Sequence, residues 1–276
     1  MTAPSTPTAP APFLSVQDLV VDYGDFRAVD GVGFDIPRGQ TLAVVGESGC
    51  GKSTIARALV RLLTPTSGRI LLDGTDIAQL PEKRLRPLRS RVQMVFQDPY
   101  GSLDPHLTAE RIVAEPMRER SRADRHREAA RLIDLVGLPS TALDRRPAEF
   151  SGGQRQRIGI ARALATSPDL LVLDEATSAL DVSVQAQVLT LLADLQRERG
   201  LTYLFISHNL GVVRQISDRI VVMRAGRLVE TGSTEQVLRS PAQPYTRALR
   251  TAALDPTTMR GRKPRDVVRQ LQGAPA

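Results

Sequence analysis

Residues 42–54, LAVVGESGCGKST, are the stretch from which the rest of the chain is interpreted. A short apolar run enters a glycine-rich turn, and the helix-forming segment IARALV (55–60) leaves it. This order of strand, loop and helix is the context of a P-loop, in which backbone N–H groups and the positive end of a helix face phosphate. The sequence therefore predicts a nucleotide site in which Lys52 reaches the β- and γ-phosphates and the Ser53 hydroxyl ligates Mg²⁺.

Composition narrows the class of protein. The chain has 276 residues, 41% of them hydrophobic, which is ample for a core. No apolar run approaches the ~20 residues that a membrane-spanning helix needs. Residues 1–12, MTAPSTPTAPAP, indicate a disordered tail and not a secretion signal. The single cysteine excludes an internal disulfide and an all-cysteine metal site, which fits a reducing cytosol.

The net charge of +7 raises the question of nucleic-acid binding. The basic clusters at 82–91 and 118–131 contain interspersed acidic residues, and aromatic residues make up only 4% of the chain. Base-stacking platforms are therefore not expected, and no specific nucleic-acid partner is predicted. A solvated basic face is the favoured interpretation, with attraction to anionic lipid headgroups as the alternative.

Alternating strand-like and helix-like segments favour a parallel sheet buried on both faces. The stretch from 107 to about 138 is charged and has a helical pattern, and residues 98–159 are expected to form an inserted, mostly helical lobe. Strands are predicted at 14–21, 32–36, 69–73, 91–96, 170–173, 201–206, 220–223 and 227–230, and helices near 155–165, 182–199, 234–239 and 245–253.

Polar groups follow several of these apolar runs. Gln97 follows residues 91–96, Asp174 and Glu175 follow LLVL, and His208 follows the 201–206 run. Ligands of open α/β sheets bind at the carboxyl ends of the strands, so these groups are expected to gather beside the P-loop. Asp174 is suited to support Mg²⁺, and Glu175 to accept a proton from water or orient it. Gln97 could reach the metal or the water, and His208 the γ-phosphate.

Residues 151–154, SGGQ, form a second phosphate-type segment at a predicted helix start. The simpler interpretation is a helix cap with Ser151 as the N-cap residue. Because one P-loop has no internal need for a second anion site, we infer that this segment serves a nucleotide held by another subunit.

Together these motifs, with SALD at 178–181, resemble the nucleotide-binding domain of ABC transporters over about residues 13–240. The resemblance implies an α/β P-loop NTPase with a RecA-like core, an antiparallel β subdomain and an inserted helical subdomain. It implies two such domains enclosing two ATPs, Tyr23 stacking on adenine and Asp181 signalling between the sites. The catalytic set is Glu175, His208, Gln97 and Lys52, and the Mg²⁺ set is Ser53, Gln97 and Asp174. The implied ATP contacts are Tyr23, Gly46, Glu47, Ser48, Gly49, Cys50, Gly51, Lys52, Ser53, Thr54, Ser151, Gly152, Gly153, Gln154 and Asp181.

Two further segments narrow the resemblance. VFQDPYGSLDPHLT (95–108) and PAQPYTRALRTAALDP (241–256) resemble the oligopeptide/dipeptide importers, specifically the second, F-type ATPase subunit. This implies two permease subunits, a second ATPase of the D type and an extracytoplasmic binding protein, with the chain peripheral at the cytoplasmic membrane face. Members often continue into a cysteine-bearing segment, whereas the predicted extension 241–276 has no cysteine, which excludes an iron–sulfur cluster.

Cargo and rival functions are left open by the sequence. Peptides, nickel complexes and glutathione-like solutes all use ATPases of this appearance. The rivals are a soluble non-transport ABC ATPase for DNA repair or cofactor assembly, a degenerate regulatory subunit, and an exporter. Cys50 lies near a helix start and Lys52, so a lowered thiol pKa and inactivation by thiol reagents are predicted.

Overall fold

Two β-sheets organise the computed structural model, which describes residues 12–98 and 100–254. Residues 1–11 of the predicted tail and 255–276 of the predicted extension lie outside the described residues. The strands are β1 (Leu14–Tyr23), β2 (Phe26–Ile36), β3 (Thr41–Gly46), β4 (Ser67–Leu72), β5 (Thr75–Asp76), β6 (Val92–Val95), β7 (Leu170–Asp174), β8 (Thr202–Ile206), β9 (Arg219–Arg224) and β10 (Arg227–Ser233). The helices are α1 (Lys52–Leu59), α2 (Glu82–Arg89), α3 (Ala109–Ala114), α4 (Arg122–Leu135), α5 (Gly152–Leu164), α6 (Val182–Arg199), α7 (Leu210–Ile216), α8 (Thr234–Arg239) and α9 (Pro244–Leu254).

The larger sheet has the strand order β10-β9-β3-β8-β7-β6 and is parallel from β9 to β6. Its central strands are buried on both faces, as continuous apolar runs in parallel sheets require. Ala43 and Val45 face the cluster that contains α5 and α6, whereas Leu42 and Val44 face the cluster that contains α1. The carboxyl ends of β3, β8, β7 and β6 therefore share one edge.

The smaller sheet, β2-β1-β4-β5, is antiparallel and packs on the α1 side of the large sheet. Its strand β2 reaches the P-loop, because the N–H of Asp30 donates to the carbonyl of Gly226, and the N–H of Gly226 donates to the carbonyl of Cys50. The antiparallel sheet is thus joined to the nucleotide loop through the β9–β10 turn.

The helical lobe is built from α3, α4 and α5, which pack against one another. The single helical stretch predicted at 107–138 is two helices. A 3-10 turn, Glu115–Met117, contains Pro116, which cannot donate a backbone hydrogen bond, and Ser121 starts α4 by accepting from the N–H of Asp124.

The basic cluster 82–91 contains a helix that the sequence analysis missed. Helix α2 carries Pro87 in its interior and buries only Leu85, so its sequence lacks a clear apolar stripe. The predicted fold class, an α/β P-loop core with antiparallel and helical subdomains, is confirmed.

Candidate active site

The P-loop closes tightly at its two ends, and glycine is required at both. A Cβ at Gly46, where φ is +153°, would lie 2.3 Å from the carbonyl oxygen of Met223. A Cβ at Gly51, where φ is +105°, would lie 2.4 Å from the carbonyl oxygen of Ala28. Gly51 is the N-cap residue of α1, and within the described residues no side chain caps that end. The first N–H groups of α1 are therefore left for an anion.

Lys52 is held inside the loop that it follows. Its side chain is buried, and Nζ donates to the carbonyl oxygens of Gly46 at 2.9 Å and Glu47 at 2.7 Å. The loop around it has Ser48 and Gly49 exposed, and Thr54 lies half-buried in the first turn of α1. The side-chain nitrogen is thus held within the loop, against two of its carbonyl oxygens.

Ser53 and Asp174 meet at the end of β7. Ser53 Oγ donates to Asp174 Oδ1 at 3.0 Å, which joins the start of α1 to the neighbouring strand end. Burial raises the pKa of Asp174, and the hydrogen bond from Ser53 opposes that rise. The Ser53 hydroxyl and the Asp174 carboxylate are hard oxygen donors of the type that Mg²⁺ prefers, and Gln97 follows β6, the strand paired with β7. This donor set fits the metal that the family implies.

Glu175 is the centre of the site. Its φ is +47°, an unusual value for a residue other than glycine, and its N–H donates to the carbonyl of Ile206 at 3.0 Å. Gln97 Nε2 donates to one carboxylate oxygen at 2.9 Å, and His208 Nδ1 lies 3.3 Å from the other. The hydrogen bond with His208 is the main cause of a lowered Glu175 pKa, and Glu175 in turn raises the pKa of His208. The groups predicted at four strand ends lie together.

Residues 151–154 start α5 as a capping box. Ser151 Oγ accepts from the N–H of Gln154 at 3.3 Å, and Gln154 Oε1 accepts from the N–H of Ser151 at 3.0 Å. Ser151 is exposed, whereas Gly153 is buried against Val184 of α6. The cap interpretation is therefore correct for the folded chain, and it still leaves the Ser151 hydroxyl proton and the Gln154 amide N–H groups for donation.

Two residues assigned by resemblance occupy the rim. Asp181 is the N-cap of α6 and accepts from the N–H of Val184 at 2.9 Å. Tyr23 ends β1 with 45% of its surface exposed, opposite Phe26. The roles assigned to both residues stay predictions.

The prediction that the Cys50 thiol has a lowered pKa is wrong, because the structure raises that pKa. Its side chain is buried, and burial raises the thiol pKa more than Lys52 lowers it. The thiol is therefore protonated at neutral pH and poorly accessible, so rapid reaction with thiol reagents is not expected.

A contact between Tyr100 and Arg155 was not predicted from the sequence. The Arg155 guanidinium lies 3.7 Å from the centroid of the Tyr100 ring, and its Nε donates to the carbonyl of Pro147 at 2.6 Å. This stack joins the segment after Gln97 to helix α5. The only signal in the sequence was an aromatic residue close to a strand-end glutamine.

The ABC transporter family profile matches residues 29–178, which contain the P-loop, the α5 start and Glu175. The chain belongs to this family. It is 54% identical over 239 residues to a probable peptide ABC transporter ATP-binding protein, y4tS, of Sinorhizobium fredii, covering 86% of this chain and 68% of that one. It is 51% identical over 230 residues to the oligopeptide transport ATP-binding protein AppF of Bacillus subtilis, covering 82% and 70%.

A solved structure extends the comparison. The dimeric post-hydrolysis state of the ATP-binding cassette MJ0796, bound to ADP and Pi, aligns with a TM-score of 0.73 at 28% identity, covering 80% of this chain and 98% of that one. The chain is thus an ABC transporter ATPase of the oligopeptide-import type, which binds ATP and couples its hydrolysis to transport, as predicted.

Proposed function

We propose that this chain is one of two ATPases that power peptide import, and that residues 46–54, Gln97, Asp174, Glu175 and His208 form its hydrolytic site. The observation that carries the proposal is the Glu175 carboxylate held between Gln97 and His208 at the sheet edge that bears the P-loop. A proton acceptor fixed from both sides, next to a phosphate cradle, is suited to direct water in line with a γ-phosphate.

The side chains of the site have different tasks in hydrolysis. Lys52 and the N–H groups at the start of α1 offset charge that develops on the phosphate oxygens. Glu175, whose lowered pKa keeps it ionised, accepts the proton of the attacking water, and His208 contacts the γ-phosphate. Ser53, Asp174 and Gln97 would hold Mg²⁺, which when bound offsets charge on the phosphates.

A second ATPase completes the site. The Ser151 hydroxyl is exposed at the positive end of α5, on the helical lobe. We propose that it donates to the γ-phosphate of an ATP held by the P-loop of a different, D-type chain, with Asp181 and Val182 near the shared boundary. The dimeric form of MJ0796 supports such a pairing, and Val182 is 83% exposed.

The permease contact is proposed at a groove of about 1060 Å³ between the edge strand β6 and the helical lobe. Met94 and Phe96 line it on the core side and Met117 on the lobe side, with arginines at its rim. A groove next to Gln97 that combines apolar side chains with arginines suits one short helix of a permease subunit. Within 12–98 and 100–254, none of the helices has the length and apolar character that a membrane crossing needs. We propose that the chain attaches peripherally at the cytoplasmic face through this permease contact.

Peptide cargo is proposed because both relatives carry peptide or oligopeptide transport in their names. The cargo itself would be selected by an extracytoplasmic binding protein. The test is purification of the tagged chain from gently solubilised membranes, followed by identification of its partners. Two permeases and a second ATPase are expected, and peptides should bind the associated binding protein. A soluble homodimer, or copurification with DNA or assembly factors, would contradict the transport role and leave the ATPase chemistry intact.

A further inference from the structure

The segment PAQPYTRAL, which the hydrolytic site does not use, places a tyrosine under the P-loop. Tyr245 lies in the first turn of α9 and is 4% exposed. Its hydroxyl oxygen accepts a hydrogen bond from the backbone N–H of Glu47 at 3.4 Å. Glu47 is the second residue of the loop, and its carbonyl holds Lys52 Nζ. The Glu47 N–H that contacts Tyr245 and the Gly46 carbonyl that accepts from Lys52 Nζ belong to the same peptide unit.

Helix α9 is anchored at both of its ends, so the position of Tyr245 is fixed. The two carboxylate oxygens of Glu230 accept from the N–H groups of Ala242 and Gln243, at 2.8 and 3.1 Å, just before the helix begins. Arg250 Nη1 donates to the carbonyl oxygens of Leu238 and Arg239 at the end of α8. These bonds satisfy backbone N–H groups just before α9 and carbonyl groups at the end of α8.

The apolar side of α9 packs on the helix that follows His208. Ala248 and Leu249 belong to the same buried cluster as Leu210 and Val213 of α7. Helix α7 begins directly after His208, with Asn209 as its N-cap residue. Helix α9 therefore contacts both the loop that cradles phosphate and the element that carries the second partner of Glu175.

We propose that Tyr245 is a positioning residue that holds the P-loop in its nucleotide-binding conformation through the Glu47 N–H. Burial raises the Tyr245 pKa, so the phenol stays neutral beside the phosphate cradle and adds no repulsive charge. Arg224 lies 5.0 Å from the ring centroid and holds the ring from the β9 side. Without the hydroxyl, the loop samples other conformations, and the apparent nucleotide affinity falls with the competent fraction.

The experiment compares Tyr245→Phe with Tyr203→Phe in the full chain, using the non-hydrolysable analogue AMP-PNP with Mg²⁺ in calorimetric titrations. Tyr203 is a matched control, since it is a buried tyrosine whose hydroxyl donates to the carbonyl of Leu192 at 2.9 Å, in the body of the sheet. We expect Tyr245→Phe to raise the dissociation constant on the order of 3- to 10-fold. Tyr203→Phe should leave it within about twofold of the wild-type value, the level at which an uncoupled change is indistinguishable from none.

A second readout separates positioning from packing. Amide hydrogen exchange at residues 46–50 should accelerate in Tyr245→Phe and not in Tyr203→Phe. If Tyr245 had only a structural role, the two variants would lower the thermal midpoint alike without this difference in exchange. Wild-type affinity in Tyr245→Phe, or an equal loss in Tyr203→Phe, would overturn the inference.

The inference rests on the proposed phosphate role of 46–54, which Lys52→Ala tests separately. Loss of AMP-PNP binding in Lys52→Ala together with wild-type binding in Tyr245→Phe would overturn only the role of Tyr245. Unchanged binding in Lys52→Ala would overturn the proposed site and the inference together.

Discussion

Helices α1 and α5 both begin at glycine-bearing segments suited to phosphate, yet their ends are built in opposite ways. Helix α1 starts from Gly51 in a left-handed conformation without a side-chain cap in the described residues. Helix α5 starts from Ser151 in a reciprocal capping box with Gln154. The first end leaves its N–H groups to an anion, whereas the second satisfies two of its own groups and keeps a hydroxyl proton for an outside acceptor.

This difference assigns nucleotide binding to the α1 end and completion of a nucleotide site on another chain to the α5 end. The α1 end offers backbone N–H groups, a buried lysine and the Ser53–Asp174 pair, so we expect it to bind nucleotide within one chain. The α5 end is exposed and offers few donors, so it can only add to a nucleotide that is already held. Changes on the α1 side should therefore alter chemistry or affinity, and changes at α5 should alter hydrolysis in the assembled pair.

The largest expected effect comes from removing the proton acceptor on the α1 side. Glu175→Gln keeps the side-chain shape but cannot take a proton from water. Hydrolysis should fall by roughly 10²- to 10⁴-fold, the range typical of a lost general base. Phosphate release by the assembled transporter measures this change, and ATP binding should remain. Glu198→Gln, on the exposed end of α6, is the control and should hydrolyse at the wild-type rate. Unchanged turnover in Glu175→Gln would show that Glu175 is not the proton acceptor.

Ser151→Ala tests the α5 end. Loss of a donor to charged phosphate should reduce hydrolysis in the assembled pair by roughly tenfold or more, while ATP binding by the isolated chain stays unchanged. Ser233→Ala is matched to it, because Ser233 caps α8 and accepts from the N–H of Gln236 at 3.2 Å. Both variants should lose about 1 kcal/mol of stability, the usual cost of an N-cap. Equal hydrolysis rates in the two variants would show that Ser151 acts only as the N-cap residue of α5.

Alanine variants at two glycines of α5, Gly153 and Gly159, are expected to differ in stability. A Cβ at Gly153 would lie 2.1 Å from Val184 Cγ1, whereas a Cβ at Gly159 has no atom within 4 Å. Gly153→Ala should push α5 from the start of α6 and cost about 1–3 kcal/mol of unfolding free energy. Gly159→Ala should stabilise the chain by up to about 1 kcal/mol, because alanine favours the helix. Urea unfolding of both variants gives the comparison, and equal stabilities would contradict the packing of α5 on α6.

The smallest effect concerns His208 and pH. Glu175 raises the His208 pKa, so this interaction stabilises the folded state below the ordinary histidine value of 6.5 and is lost as the pH rises through the raised value. Because the Glu175 pKa is lowered, the contribution of ionised Glu175 to folding stability is present above the ordinary value of 4.5 and is lost on acidification. His208→Gln should therefore cost a few tenths of a kcal/mol near pH 5.5, since the ring is largely exposed. The same variant at pH 8.5 should match the wild type, and an equal loss at both pH values would contradict the pairing.

The sequence predicts the α1 side of this comparison well because parallel strands end at a common edge. Gln97, Glu175 and His208 are separated by up to 111 positions, and each follows an apolar run. Once those runs are strands in one parallel sheet, their next residues must lie close together. The cap at Ser151 was equally readable, because S-x-x-Q is a local pattern.

Other features depend on tertiary contacts that local patterns do not contain. The Cys50 pKa is set by burial against the loop's surroundings, which outweighs the nearby lysine. The contact of Tyr245 with Glu47 spans 198 positions and follows no periodic signal. Helix α2 escaped prediction because it buries one leucine, and the break at Pro116 was masked by helical patterns on both sides.

The most direct test of the account is the structure of the assembled transporter with Glu175→Gln in this chain and MgATP bound. We expect ATP on the P-loop of this chain, and Ser151 Oγ about 3 Å from a γ-phosphate held by the partner ATPase. A closed assembly in which residues 151–154 face solvent, with each ATP contacted by a single chain, would contradict it.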